Sequence, residues 1–335
     1  MTFSLIKRVL TTSTFVTVCA LSALSANVQA QTASAPANDA SVKGKTFAYI
    51  TPGLDLPFWR HIAKGVETGI TKAGGTVLTL DSRNDASAQL KNAQDAISKG
   101  VAGIVISPTD SSTAPSVLAL AARAHIPVVI ADIGTNGGTY ASFISSDNEK
   151  GAYETGQKIA AFLKTKGWAS GGYGMITVSL ARKNGQLRSA GFRQAMKEAG
   201  VAELGLNQLQ RYTSEESFKY TQDMITAHPG MHCLFVQVDV AALGSAKAIQ
   251  AARKGNDIAL AGFDGVEDYI AMINDGRLIA FGMQQPNLMG EKAAAALVEA
   301  VNGKTPTKSI VVPVIVITKD NLEQNMAIVK ETVSF

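Results

Sequence analysis

Cysteine is almost absent from this chain, with two in 335 residues. Cys19 lies in an apolar stretch near the N-terminus, and beyond it Cys233 is alone, so no internal disulfide can form there. Stability must come from a packed core. Cys233 sits in Met231-His232-Cys233-Leu234-Phe235-Val236, which reads as a buried strand and makes it a packing residue. Histidine is scarce too. His61, His125, His228 and His232 show no H-E-x-x-H spacing, and Pro229-Gly230 keeps the last two off a shared helix face. No G-x-G-x-x-G, P-loop or G-x-S-x-G stands between a strand and a helix. The expectation is a binding protein rather than an enzyme, with no cofactor and no metal.

Charge is sparse, at 17% of residues with a formal net of +4, or +2 without Lys7 and Arg8. There is no basic patch for nucleic acid and no like-charged arm. Beyond the N-terminal region, no run has the length and apolarity of a membrane span.

What is present is a large apolar fraction, 46% of residues with a mean hydropathy of +0.11. That suits a soluble globular protein long enough for two lobes. At the N-terminus, Lys7 and Arg8 precede the uncharged run Val9 to Leu24, and Val28-Gln29-Ala30 follows. This is the plan of a secretory signal peptide over 1–30, cleaved near Ala30, and it implies an exported protein. A membrane anchor is the rival reading, but the run is short and broken by Ser and Thr. Residues 31–44, rich in Ala, Ser, Pro and Asn, read as a flexible leader.

From Lys45 onward, short apolar strands alternate with amphipathic helices. Strand Thr46–Ile50 leads to a helix from about Phe58, with Trp59, Ile62, Val66 and Ile70 on one face and Gly74-Gly75 at its end. Strands follow at Val77–Leu80, Ala102–Ile106, Pro127–Ala131 and Tyr140–Ile144. The pattern restarts with helix Lys150–Lys164 and runs to a last strand at Ile310–Ile317. Unalternated Val and Ile suit parallel sheets buried on both faces. The fold class is α/β, doubly wound, in two halves.

Several segments carry a resemblance. They include Asp55-Leu56-Pro57-Phe58-Trp59, Ser107-Pro108-Thr109-Asp110, Ile130-Ala131-Asp132, Arg188-Ser189-Ala190-Gly191-Phe192, Gly262-Phe263-Asp264-Gly265 and Met283-Gln284-Gln285-Pro286. In this order, from about Phe47 to the C-terminus, the chain resembles the periplasmic sugar-binding proteins of the ribose-binding type, the substrate receptors of ABC importers. The resemblance implies two parallel-sheet lobes joined by a three-strand hinge, with the ligand in the cleft between them. Lobe one would hold 45–146 and 286–312, and lobe two 147–285 and 313–335.

It further implies that Phe58, Trp59 and Tyr212 stack on the ligand, while Asn84, Asp132, Arg188, Asp264 and Gln284 hydrogen-bond to it. Carboxylates, amides and guanidinium groups suit hydroxyl edges, and aromatic rings suit flat C–H faces. Each residue has a plainer reading: an Asp at a strand end often only caps a turn, and Phe58 and Trp59 could be core. The chain departs from the ribose pattern at Ile133, where an Arg is usual, and at Val238, where an Asn is usual. Ile133 and Val238 would make one side of the site apolar, favouring a polyol or deoxy-sugar over ribose. Restoring Arg at 133 and Asn at 238 is expected to move preference toward a pentose. A loop one residue longer leaves either Asp55 or Leu56 in place of another usual Asn. The partners implied are a small neutral hydroxylated ligand and a membrane permease, with the protein a monomer and no nucleic acid bound. A receptor presenting its ligand to a membrane sensor or chemoreceptor is the alternative. A sugar-responsive repressor of the same fold would need an N-terminal helix-turn-helix.

Overall fold

The structure, a computed structural model, describes residues 42–334. The expected signal peptide and its cleavage point lie outside them. The expected leader reaches only partly into view, and there it is not loose: Val42 is fully buried, and its N–H donates to the Ala73 carbonyl at 3.0 Å.

The first half runs β1 (Thr46–Thr51), α1 (Pro57–Lys72), β2 (Thr76–Asp81), α2 (Ala86–Ser98), β3 (Ile104–Ile106), α3 (Ala114–Arg123), β4 (Val128–Ala131) and β5 (Ser142–Ser146). The second runs α4 (Asn148–Lys166), β6 (Tyr173–Thr177), α5 (Lys183–Glu198), β7 (Glu203–Gln208), α6 (Ser214–Ala227), β8 (Cys233–Val236), α7 (Asp239–Ala251), β9 (Ala259–Asp264), α8 (Asp268–Asp275) and β10 (Ala280–Met283). Then come α9 (Pro286–Val301), β11 (Ser309–Val312), β12 (Ile315–Thr318) and α10 (Leu322–Val333).

These strands form two sheets of six. One has the order β11-β5-β4-β3-β1-β2, the other β12-β10-β9-β8-β6-β7. All pairings are parallel except β10 with β12. The two orders repeat each other, with the first strand of each half between the second and third. That arrangement places a topological switch at the carboxyl ends of the strands, where doubly wound sheets bind ligands.

Alternation along the strands explains the unbroken apolar runs. Phe47 and Tyr49 of β1 join one core cluster, and Ala48 and Ile50 join the cluster on the opposite face. Both faces are covered by helices, so Phe47 to Ile50 are apolar without a break. Cys233 is fully buried within the core of the second sheet, and burial pushes its thiol pKa well up.

The chain passes between the sheets three times, at 146–148, 283–286 and 312–315. The single strand expected at Ile310–Ile317 is therefore two strands in different sheets. Pro313 divides them, since it has no N–H for a ladder and restricts the residue before it. Helix α10 is a further element that the sequence reading lacks. Helix α9 returns to the first sheet by packing against α1 at very close range: a Cβ on Gly65 would stand 2.1 Å from the Asn287 carbonyl oxygen, and one on Gly290 would stand 2.3 Å from that of Ile62. Among the described residues, no helix is long and apolar enough to cross a membrane.

Candidate ligand site

The carboxyl ends of the two sheets enclose a cavity of about 330 Å³, its open mouth included. Lobe one contributes Leu56, Phe58 and Trp59 at the start of α1 and Asp132 just after β4. Pro57 at the first helical position presets the turn into α1. Lobe two contributes Val178, Arg182, Asn184 and Arg188 around the start of α5, Tyr212 before α6, and Val238 and Asp239 at the start of α7. Asp264 ends β9, and Gln284 follows β10.

Several of these side chains leave a backbone with positive φ. Asp132 lies at 66°, Tyr212 at 59° and Asp264 at 70°. Asp tolerates this left-handed region, whereas for Tyr it is strained, and such residues gather at ligand clamps.

Arg188 is 2% exposed and held from several directions. Its Nε donates to Asn148 Oδ1 at 2.7 Å, and its Nη1 donates to the Gln237 carbonyl at 2.8 Å. Nη1 also lies 3.1 Å from Asp264 Oδ1, and the guanidinium carbon stands 4.3 Å from the centre of the Phe263 ring. Charge-assisted bonds of this kind fix a planar group in one orientation.

Three carboxyls share the site with two guanidiniums. Burial pushes Asp132 up to about 6, against the pull of Arg188, and pushes Asp239 up to about 7, with Asp264 adding to the rise. Asp264 is raised as well; burial there outweighs its contact with Arg188. Asp132 Oδ2 accepts from Asn184 Nδ2 at 2.8 Å, Asp239 Oδ1 accepts from the Val240 N–H at 2.6 Å, and Gln284 Nε2 donates to Asp264. That leaves Asp132 Oδ1, Asp239 Oδ2 and Gln284 Oε1 buried and accepting nothing from the protein. Each such acceptor costs about 1–3 kcal/mol until a donor reaches it. Among the described residues, no group of His, Cys, Asp and Glu is arranged to hold a metal ion.

Eight of the ten residues chosen from sequence meet at this cavity: Phe58, Trp59, Asp132, Arg188, Tyr212, Val238, Asp264 and Gln284. Phe58 and Trp59 stand edge to face at 4.8 Å. Tyr212 carries the Arg182 guanidinium over its ring at 4.7 Å, so one face of it is already covered. Asn84 lines an adjoining hollow that shares Leu56, Trp59, Arg182 and Tyr212 with this cavity, and its Oδ1 accepts from Arg182 Nη2 at 2.7 Å. Ile133 is not on the wall. It is fully buried in the cluster that holds Phe58 and Trp59, so it belongs to the core of lobe one. Of the two loop residues left open, Leu56 lines the cavity and Asp55 lines the adjoining hollow. Sequence reasoning missed Val178, Arg182, Asn184 and Asp239. A signal existed for Asn184, which stands four residues before Arg188 on α5 and so shares its face.

Residues 47–305 match the family described as periplasmic binding protein domain. The chain is 30% identical over 287 residues to the ribose import binding protein RbsB of Bacillus subtilis, covering 83% of this chain and 88% of that protein. It is 31% identical over 259 residues to its counterpart in Escherichia coli, covering 77% and 86%. Among solved structures, a carbohydrate transporter solute binding protein from Agrobacterium radiobacter, in complex with D-arabinose, superposes with a TM-score of 0.80 at 20% identity, covering 88% of this chain and all of that one. That likeness speaks for the fold, two α/β lobes of six strands each. These relatives are binding proteins of transporters and not enzymes. By the family match and by identity across most of its length, the chain belongs to the periplasmic binding protein domain family, beside the sugar-binding proteins of ABC importers.

Proposed function

We propose that this protein captures a small neutral hydroxylated molecule, a sugar or polyol, by closing its two lobes around it in the periplasm, and delivers it to the permease of an ABC importer. The observation that carries this reading is the set of three buried acceptors without donors, Asp132 Oδ1 on lobe one, Asp239 Oδ2 on lobe two and Gln284 Oε1 at a crossing between them. Hydroxyl groups supply donors in that number without charge. Phe58 and Trp59 offer rings for the C–H face of the same molecule. Leu56, Val178 and Val238 make part of the wall apolar, which favours a deoxy-sugar or a polyol with an unsubstituted edge over ribose.

The lobes are taken as 45–146 with 286–312 and 147–285 with 313–335. A ligand bonded to Asp132 and Asp239 together binds the closed form better, and only such a difference shifts the opening equilibrium. The relatives are import binding proteins, so the sensor alternative finds no support in them.

The test is a thermal-shift screen of pentoses, hexoses, deoxyhexoses and polyols, followed by calorimetry, since a ligand that binds only the folded state raises its melting temperature. A shift with one of these compounds is the expected result. No shift with any of them would refute the ligand class, and ribose binding tighter than every deoxy-sugar and polyol would refute the preference.

A further inference from the structure

The cleft is bridged by direct bonds between the lobes, and they converge on one short segment. Between β6 and the start of α5, residues 181–184 of lobe two lie against three loops of lobe one. The Ser111 N–H donates to the Ala181 carbonyl at 3.2 Å. Arg182 Nε donates to the Thr109 carbonyl at 2.8 Å, and its Nη2 donates to Asn84 Oδ1 at 2.7 Å. The Lys183 N–H donates to Ser111 Oγ at 3.2 Å, and Lys183 Nζ donates to the Thr135 carbonyl at 2.7 Å. Asn184 Nδ2 donates to Asp132 Oδ2 at 2.8 Å.

Arg182 is the deepest of the four, 4% exposed, with its guanidinium stacked on Tyr212 of its own lobe. The guanidinium lies over that ring, and its fork reaches two separate loops of lobe one. A lysine ammonium could not do both. Asn84 holds a left-handed backbone, φ 55°, where the chain turns after β2. Its carbonyl oxygen is thereby committed to lobe two rather than to the cavity.

We propose that residues 181–184 form a clasp between the lobes, with Arg182 as its pin. Arg182 is a positioning residue: it sets how readily the cleft closes, and through closure it sets apparent affinity. Asn184 adds a second effect. By donating to Asp132 Oδ2 it takes one of that carboxylate's acceptor positions and turns the wholly unpartnered Oδ1 to the ligand. The clasp rests on the reading that the cleft between the lobes is the ligand site. Since it consists of protein–protein bonds, it acts on the protein without ligand as well. A state favoured in advance lowers the population penalty that a ligand must overcome.

The test compares the unsubstituted full chain with Arg182→Ala and Arg182→Lys by small-angle X-ray scattering, without ligand and with a saturating sugar or polyol from the thermal-shift screen. Circular dichroism checks folding. Without ligand, Arg182→Ala is expected to show a larger radius of gyration than the unsubstituted protein, and Arg182→Lys should resemble Arg182→Ala. With ligand, all three converge, and apparent affinity falls about 10- to 100-fold in Arg182→Ala. If that variant does not fold, Lys183→Ala and Ser111→Ala, which each remove a shallower bond, should shift the ligand-free scattering in the same direction. Superimposable ligand-free curves for the unsubstituted protein and folded variants would overturn the clasp. If no compound in the screen binds, the ligand-free curves still decide the clasp, and only the sugar reading falls.

Discussion

Replacing Asp132 with Asn separates what this site does for binding from what it does to stability. The substitution is nearly isosteric. Asn accepts the left-handed backbone at φ 66° as readily as Asp, and its carbonyl oxygen can still take the bond from Asn184. Only the charge goes. In the folded protein burial holds the Asp132 pKa at about 6, against an ordinary value of 3.8. The folded state therefore keeps the proton to higher pH than the unfolded chain, and stability falls as pH rises from about 4 to about 6 and stays level above. By linkage this amounts to roughly 3 kcal/mol at pH 8 and under about 1 kcal/mol at pH 4. Asp132→Asn should recover that loss. At ~2–4 °C per kcal/mol its melting temperature should rise by about 6–12 °C at pH 8, with the gain shrinking toward pH 4. Binding should move the other way. The atom now accepting nothing would be lost or replaced by a donor, weakening affinity about 10- to 100-fold. Thermal unfolding from pH 4 to 8 and calorimetry at pH 8 measure both. A variant no more stable at pH 8, or one shifted equally at both ends of the range, would refute the assignment of burial as the dominant cost.

Three further outcomes are expected. Arg188→Lys should not rescue Arg188→Ala, because the point charge cannot reach Asn148, Gln237 and Asp264 together; urea unfolding should place both variants several kcal/mol below the natural protein, as expected for a broken buried pair at about 3–5 kcal/mol. Ile133→Arg should lower the melting temperature and leave ligand preference unchanged, since the side chain packs in the core; a gain in ribose affinity measured by calorimetry would contradict that placement. The chain has two tryptophans, Trp59 on the cavity and Trp168 stacked on His232 at 4.9 Å, so a ligand-induced fluorescence change should survive Trp168→Phe and vanish in Trp59→Phe.

The sequence made the strands legible because both faces of each sheet are covered, so Ile104-Val105-Ile106 carries no polar residue to confuse the pattern. It did not show where the chain leaves one sheet for the other. Residues 309–318 are apolar on both sides of Pro313, and periodicity is blind to which sheet a strand joins. Asp132 and Asp264 were readable as acids closing apolar strands. Arg182 was not, since a charged loop residue before a helix usually faces water, and here it is buried against Thr109 and Asn84 of the other lobe. Asn84 shows the reverse: it stands at a strand end as a ligand contact would, yet Arg182 takes its carbonyl oxygen. Which polar group meets which across a cleft depends on how the lobes meet, and no local pattern records that.

The late return of α9 and β11 to the first sheet also governs the order in which the chain can fold. Strand β5 has its second neighbour only at Ser309–Val312, and α1 meets its glycine-matched partner only in Pro286–Val301. A chain growing from its N-terminus thus leaves the face of α1 uncovered while more than half of its length is made, and the edge of β5 unpaired for nearly as long. The second sheet also waits for a late strand, but only from β10 to β12, a far shorter stretch of chain. The lobe begun first is therefore completed only after most of the second has been made, and truncation anywhere before Ser309 leaves the edge of β5 unpaired even where every residue lining the cavity is present.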